Sequence, residues 1–206
     1  MIAFIGDTHQ LFDELEKIVE ELPSEVTHVF QVGDLVLRPH VPAQARAQWR
    51  PMARPVSFID GNHHYYPTTR GLTSPTVLRP GLTFLPRGTI LRVDERRIGF
   101  LGGADSVVDR AWRTPGVDWW PDEAISEADR ARWARVAPGE IEILVTHTPP
   151  ASITTAMTGQ PPHPSAVVLE EIWEQLGYPE LICGHMHEHY EDDGVEVLPL
   201  LGVTYR

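Results

Sequence analysis

The sequence contains a single cysteine and no long apolar run. Because Cys183 has no partner among the 206 residues, no internal disulfide can form, which favours a reducing compartment. No stretch approaches the roughly 20 consecutive apolar residues of a membrane-spanning helix. Residues 1–6 also lack the basic segment and the apolar length of a signal peptide. These absences predict a cytoplasmic protein without a membrane partner.

Basic side chains are also scarce. The chain has 17 lysines and arginines against 29 aspartates and glutamates, a net charge of −12. This charge argues against a broad surface for long nucleic acid or for an anionic membrane. Small anionic substrates remain open, because bound divalent cations can reverse the local charge. An apolar content of 42% and a charged content of 22% are ordinary for a soluble protein, and the length suits a single domain over residues 1–206.

Strands and helices alternate in the first third of the chain. Residues 2–5 form a short apolar run that ends at Gly6, as expected for a buried strand. Apolar residues then recur at helical spacing between Leu11 and Leu22, with acidic residues between them. The whole pattern predicts strands at 2–5, 26–32 and 56–59 and helices at 11–22 and about 43–52.

The rest of the chain predicts a second sheet and a long connection. Strands at 83–85, 90–93 and 98–101, joined by tight turns, favour an antiparallel or mixed sheet. Residues 106–137 are too few to enclose a core, so we interpret them as an elaborate connection near the site, helical at 122–136. The later pattern predicts strands at 141–145, 181–183 and 195–199, the last in a terminal hairpin, and a helix at 167–176.

Polar clusters follow directly after five of the predicted strands. In open α/β sheets, ligands collect at the carboxyl ends of the strands, so we expect these clusters to meet at one sheet edge. Gly184 precedes the last cluster and is predicted to allow a sharp turn that aims its two histidines at neighbouring points. The clustered side chains are Asp7 and His9, Asp34, Asn62 and His63, His147, and His185 and His187.

These side chains predict a site for two metal ions. Mixed oxygen and imidazole donors suit Mn, Fe or Zn rather than calcium, which takes oxygen donors alone. Such a set is too large for one ion and suits two ions that share a bridging carboxylate. Two ions about 3.5–4 Å apart clamp the attacking and leaving oxygens of a displacement at phosphorus, and a bridging water becomes hydroxide near neutral pH. A histidine outside the metal shell can then protonate the leaving oxygen.

The chain resembles the calcineurin-like metallophosphoesterase family in five blocks that occur in the family's order. They are Asp7-x-His9, Gly33-Asp34, Gly61-Asn62-His63, His147 and Gly184-His185-x-His187, which together span residues 7–187. The resemblance implies an α/β fold with a two-sheet β sandwich core flanked by helices, in four layers α/β/β/α. It also implies a phosphomonoesterase or phosphodiesterase in which a metal-bridging hydroxide attacks phosphorus. The substrate would be a phosphorylated small molecule, a nucleotide or a phosphoprotein.

The resemblance further implies a role for each clustered residue. His63 would be a general acid or a stabiliser of the transition state, and not a metal ligand. Asp34 would bridge the two ions. One ion would be held by Asp7, His9, Asp34 and His187, and the other by Asp34, Asn62, His147 and His185.

Two positions depart from the family's pattern. The family usually has an acid directly after His63 that orients the imidazole, and here the residue is His64. His63 is therefore either tuned differently or oriented by another carboxylate, and His64 reads equally well as a solvent-side loop residue. The protein-phosphatase branch has Gly-Asp-x-x-Asp-Arg, in which Leu37 replaces the second aspartate. Arg38 falls where that branch places a phosphate-contacting arginine, with a surface arginine beside Pro39 as the alternative.

The long connection carries aromatic and basic residues for which we consider two roles. Trp112, Trp119 and Trp120 could stack a nucleobase or an aryl group, but packing in the core or in a lid is favoured. Arg110 and Arg113 could reach a substrate phosphate, although a solvated loop face is favoured. For the whole chain the alternative function is a protein-interaction module on the same fold that has lost catalysis, and only the His64 replacement supports it.

Overall fold

Two sheets form the centre of the protein in the computed structural model, which describes residues 1–37, 51–192 and 194–206. Strands are numbered in chain order. The first sheet has the order β12-β1-β2-β3-β5-β4. Its strands are β1 (Ile2–Ile5), β2 (His28–Gln31), β3 (Val56–Phe58), β4 (Thr76–Arg79), β5 (Leu82–Phe84) and β12 (Val203–Tyr205).

The second sheet is built from the later part of the chain and has the order β10-β11-β9-β8-β7-β6. Its strands are β6 (Thr89–Val93), β7 (Arg96–Leu101), β8 (Ile143–Thr146), β9 (Glu180–His187), β10 (Tyr190–Asp192) and β11 (Val195–Pro199). The prediction of a second, mixed sheet is confirmed.

The two sheets share one arrangement. In each, the four middle strands run parallel and an antiparallel strand closes each edge. Parallel strands that are covered on both faces read as continuous apolar runs, which is why residues 2–5 and 143–145 carry no polar alternation. The carboxyl ends of the parallel strands in each sheet therefore reach a common edge, where the chain turns into polar loops.

Helices cover the outer face of each sheet. They are α1 (Phe12–Glu21), α2 (Glu127–Trp133), α3 (Ala151–Thr158) and α4 (Pro164–Gln175). Helix α1 packs Phe12, Leu15 and Val19 on the first sheet, and α4 packs Leu169 and Trp173 on the second.

Alternate side chains of the inner strands explain the layers. Ala3 and Ile5 of β1 face α1, whereas Ile2 and Phe4 face the second sheet and pack in the same cluster as Phe100 of β7. The central cluster thus joins the two sheets, and the order of layers is α/β/β/α. The fold predicted from the resemblance is confirmed.

Several element predictions differ from the structure. The strand predicted at 195–199 does form a hairpin with β10, but it is not terminal, because the chain crosses back and adds β12 beside β1. The helix predicted at 122–136 is shorter: a 3₁₀ turn at Pro121–Glu123 precedes α2, which begins at the capping box of Ser126 and Asp129. Strand β4 and helix α3 were not predicted. The helix predicted at about 43–52 lies almost entirely outside the described residues.

Within the described part of the chain, no helix combines the length and the apolar character that a bilayer crossing requires.

Candidate metal centre

The loops after β1, β2 and β3 of the first sheet and after β8 of the second, together with the last residues of β9, bring their polar side chains to one place, so the donors come from both sheets rather than from the one sheet edge that was predicted. Both carboxylates of the set, Asp7 and Asp34, are buried there, as is the imidazole of His147. The donor atoms fall into two groups that differ in their neighbours and in their exposure.

The first group, called the outer donor group below, consists of Asp7, His9 and His187. The Nε2 atoms of the two histidines are 2.9 Å apart, and His187 Nε2 lies 3.0 Å from Asp7 Oδ2. His9 Nε2 is 3.6 Å from the same oxygen. The histidine side chains are 25% and 47% exposed, so the two imidazoles of this group are open to solvent, whereas Asp7 is buried.

The second group, called the inner donor group below, consists of Asp34, Asn62 and His147. His147 Nε2 lies 3.3 Å from Asp34 Oδ2 and 3.2 Å from Asn62 Oδ1. The other ring nitrogen, Nδ1, donates to the carbonyl oxygen of Val32 at 2.9 Å, which fixes the ring with Nε2 facing the group. All three side chains of this group are buried.

Asp34 lies between the two groups. Its Oδ2 atom is 3.3 Å from His147 Nε2 and 3.7 Å from His9 Nε2. Its Oδ1 atom accepts a hydrogen bond from the backbone nitrogen of His63 at 2.8 Å. One carboxylate therefore faces both donor groups, as a bridging ligand must.

His185 enters the site mainly through its backbone. Its backbone nitrogen donates to Asp7 Oδ1 at 3.0 Å, and its ring centroid lies 5.1 Å from that of His147. Among the described residues, the closest groupings of possible metal donors include Asp7, His9, Asp34, His63, His147 and His187, but not His185. His185 is therefore adjacent to the inner donor group, with its ring at the periphery.

The glycines of the motifs provide space for the donors. A Cβ atom on Gly184 would lie 2.1 Å from Asp7 Oδ1, and one on Gly61 would lie 2.3 Å from Asp34 Oδ1. Gly33 combines both constraints, since its φ is +111° and its Cβ would lie 2.4 Å from His147 Nδ1. The sharp turn predicted at Gly184 is instead made by the histidines that follow it, whose φ angles are positive, and Gly184 is needed for close approach.

Four of the predicted ligands have left-handed backbones. The φ angles are 43° at His9, 54° at Asp34, 69° at His185 and 57° at His187. Non-glycine residues rarely adopt this conformation, and such residues concentrate at functional sites, where the surrounding structure holds them.

The buried carboxylates draw positive charge into the site. Burial raises the pKa of Asp7 and of Asp34, but the surrounding histidines, His147 foremost, together outweigh it and hold both pKa values well below the usual range. Burial lowers the pKa of His147, and the charges of Asp34 and Asp7 reverse this and raise it to about 9. Among the described residues, no lysine or arginine forms an ion pair with either carboxylate.

The donor set fits a pair of metal ions. Two donors that bind one ion at about 2.1 Å lie about 3–3.4 Å apart in octahedral or tetrahedral coordination. The inner-group separations of 3.2 and 3.3 Å match this spacing, and the outer-group separations of 2.9, 3.0 and 3.6 Å lie close to it. The two buried carboxylates make the pocket anionic. A proton on His147 offsets part of this negative charge, and bound cations would offset it in the same way.

His63 and His64 point in different directions. His63 is one-third exposed beside His9, with the ring centroids 5.0 Å apart, and burial lowers its pKa. His64 is buried instead: its Nε2 lies 2.7 Å from Thr69 Oγ1, and its ring stacks on Phe84. The reading of His64 as a solvent-side residue is wrong, because its ring packs into the first sheet. Burial lowers its pKa to about 4.

The connection over residues 106–137 contacts the site, and its role was only partly predicted. Asn62 Nδ2 donates to Ser106 Oγ at 3.3 Å, and Ser106 in turn donates to the buried carboxylate of Glu123. This chain orients the Asn62 amide with its oxygen toward His147. Ser106 was not predicted as part of the site, because its motif neighbour is 44 residues away in sequence.

The aromatic and basic residues of this connection differ in their burial. Trp120 is buried, Trp112 is 78% exposed, and the Arg110 guanidinium lies over the Trp119 ring at 3.6 Å. The solvated reading of Arg113 is wrong, because its side chain is buried and donates to the Asn62 carbonyl oxygen at 2.8 Å. Arg38, the predicted phosphate contact, lies outside the described residues.

Comparisons with known proteins support one family. Curated protein sequences contain no significant match to this chain. Among solved structures, the chain is similar to the NAD nucleotidase (NadN) of Haemophilus influenzae at 16% sequence identity and a TM-score of 0.44. The match covers 93% of this chain but only 39% of that one. The sequence model of the calcineurin-like phosphoesterases matches residues 1–189, and the chain therefore belongs to the calcineurin-like phosphoesterase family.

Proposed function

We propose that this protein is a dinuclear metal-dependent hydrolase of phosphoric esters. The observation that carries the proposal is the position of Asp34, whose Oδ2 atom faces His9 of the outer donor group and His147 of the inner donor group. Family membership supports the reaction class, and the intact donor set argues against the alternative of an inactive interaction module. In this proposal, residues 1–206 act as one domain.

The roles of the side chains follow from their places. Asp7, His9 and His187 would hold one ion, Asn62 and His147 the other with His185 at its side, and Asp34 would bind both. Two bound ions of Mn, Fe or Zn supply Lewis-acid charge at the phosphoryl oxygens and lower the pKa of the water that attacks phosphorus.

His63 is the proton donor of the proposal. Its ring is one-third exposed beside His9, so it can face the leaving oxygen of a bound ester while the buried ligands cannot. A positioned histidine of this kind contributes roughly 10²- to 10⁴-fold to the rate, most for leaving groups that need protonation. The substrate class is a phosphorylated small molecule, a nucleotide or a phosphoprotein, and Arg38 is a proposed contact to its phosphate.

The test is a metal assay combined with a substrate panel. Purified protein is analysed for bound metal and then assayed with Mn, Fe or Zn against phosphomonoesters, phosphodiesters and nucleotides. We expect about two ions per chain and hydrolysis that a chelator removes and metal restores. The control variant is Asp122→Asn, which changes an exposed carboxylate paired with Arg70 and should hydrolyse like the wild type.

The variant His63→Ala tests whether His63 is a proton donor or a metal ligand. We expect metal content to stay near two ions per chain while turnover falls, most for poor leaving groups. Loss of an ion would instead make His63 a ligand, as its grouping with His9 and Asp34 would allow. A folded wild type that binds no metal and hydrolyses none of the panel would overturn the proposal, and capture of a protein partner by that same preparation would favour the interaction module.

A further inference from the structure

The family usually has an acidic residue directly after His63, and this chain has none there. The residue there is His64, whose ring packs against Phe84 and whose Nε2 contacts Thr69. Asp34 is close to His63, but it accepts from the His63 backbone nitrogen and faces both donor groups. The ring of His63 therefore needs a different neighbour if a carboxylate is to hold it.

Asp109 lies beside the ring of His63. Its Oδ2 atom is 3.2 Å from His63 Nε2, and each side chain is about one-third exposed. Asp109 belongs to none of the close donor groupings among the described residues, so its carboxylate is not needed as a metal ligand. It follows the third motif by 46 residues, at the start of the 3₁₀ turn Arg110–Trp112.

The segment that carries Asp109 contacts the dipeptide Asn62-His63 at several points. Arg113 Nη2 donates to the Asn62 carbonyl oxygen at 2.8 Å, and Arg113 Nη1 lies 3.6 Å from Asp109 Oδ2. Ser106 accepts from the Asn62 side chain at 3.3 Å. Residues 106–113 thus contact the Asn62 side chain, the Asn62 backbone and the His63 ring, which gives Asp109 a defined place beside the imidazole.

We propose that Asp109 is the positioning residue of His63, in place of the acid that the family carries next to this histidine. The inference rests on the proposed function, in which His63 protonates the leaving oxygen. A carboxylate at ion-pair distance from Nε2 restricts the rotation of the imidazole, which leaves Nδ1 as the nitrogen that gives its proton to the leaving oxygen when the ester binds. Asp109 itself touches neither ester nor ion in this arrangement.

The kinetic test compares Asp109→Ala and Asp109→Asn with the wild type on aryl phosphates from p-nitrophenyl to phenyl esters. For a metal-ligating histidine, loss of the carboxylate that orients the ring lowers activity about 10- to 100-fold, and we expect the same range for His63. We expect that loss in kcat for the phenyl ester with Asp109→Ala, a smaller loss with Asp109→Asn, which keeps an acceptor oxygen, and little change for the p-nitrophenyl ester. KM and metal content should stay unchanged, and Asp122→Asn is the matched control.

A double-mutant cycle shows whether Asp109 acts through His63. In a His63→Ala background, adding Asp109→Ala should lower kcat no further. An equal loss in both backgrounds, or no loss from Asp109→Ala where His63→Ala does reduce kcat, would overturn the inference and leave the proposed function intact.

A structural readout is independent of turnover. Crystal structures of the metal-free wild type and Asp109→Ala should show one orientation of the His63 ring in the first and a rotated or divided ring in the second. An unchanged ring in the variant overturns the inference even if the wild type proves to hydrolyse no ester, which is the separate failure of the proposed function.

Discussion

The outer and inner donor groups offer similar atoms in different surroundings. In the outer group, His9 and His187 are partly exposed and contact Asp7 directly. In the inner group, Asp34, Asn62 and His147 are buried and are each held from behind by a further contact, to the His63 backbone, Ser106 and Val32. The difference indicates that the inner group is part of the core of the protein, whereas the two histidines of the outer group face solvent.

The largest effect should come from the residue that the groups share. Asp34→Asn keeps the shape of the side chain but removes the charge that faces both His9 and His147. We expect loss of both ions and at least about a 1000-fold loss of kcat/KM, or roughly 4 kcal/mol of transition-state stabilisation. Metal analysis and steady-state kinetics measure this, with Asp122→Asn as control. Retention of two ions would contradict the bridging role.

Removal of one histidine from each donor group should lower the free energy of unfolding by different amounts. His147→Ala leaves two buried carboxylates without the imidazolium between them, which should lower the free energy of unfolding of the metal-free protein by about 3–5 kcal/mol. His187→Ala removes a half-exposed partner of Asp7 and should cost about 1 kcal/mol or less.

Urea unfolding with chelator present measures both variants. Equal losses in the two would show that burial does not distinguish the groups.

The inner group should also give the metal-free protein a pH dependence. The pKa of His147 is raised to about 9, above the value of about 6.5 in an unfolded chain. Its contribution to stability is therefore fully present below about pH 6.5 and is lost as the pH rises through 9. Between pH 6 and pH 9.5, we expect the free energy of unfolding of the wild type to fall by on the order of 3 kcal/mol relative to that of His147→Gln.

Urea titrations at the two pH values check this prediction. His147→Gln is the matched control, in which this part of the pH dependence should disappear. Metal-loaded protein should also lack it, because a metal ligand nitrogen binds no proton. The same pH dependence in the metal-free wild type and in His147→Gln would contradict the assignment.

A smaller effect on metal binding should come from Ser106, which supports the inner donor group. Ser106→Ala removes the hydroxyl that fixes the Asn62 amide, and we expect about a tenfold weaker affinity for one ion and no change for the other. Metal titration with competition by a chelator measures both affinities. A parallel loss at both sites would mean that Ser106 supports the whole fold rather than Asn62.

Much of the fold could be predicted because its signals are local. The apolar runs at 2–5 and 98–101 form strands, and the residues with helical spacing between Leu11 and Leu22 form α1. The spacing of apolar residues along the chain shows whether an element buries one face or two, so these elements could be predicted. Helix α3 was not predicted. Its residues, Ala151–Thr158, include three threonines and no charged residue, so propensity gives little indication of a helix that tertiary contacts stabilise.

The candidate site divides in the same way. The candidate donors of the motifs could be named in advance because each follows a predicted strand, although β9 extends through His187. The roles of His64, Asp109 and Arg113 could not, because each depends on where a loop places a side chain relative to a distant segment. A histidine beside two aromatic residues can face solvent or the core, and the packing of the first sheet decides between them.

The sequence by itself determined which donors exist and in what order they leave the strands, since residue type and strand period are local properties. The tertiary structure alone decided that Asp34 faces two unequal groups, one wholly buried and one with two exposed imidazoles, and that Asp109 lies against the ring of His63. The reason is physical: burial and charge contacts arise from segments more than 40 residues apart, and only the packing of the two sheets and the path of residues 106–137 bring them together.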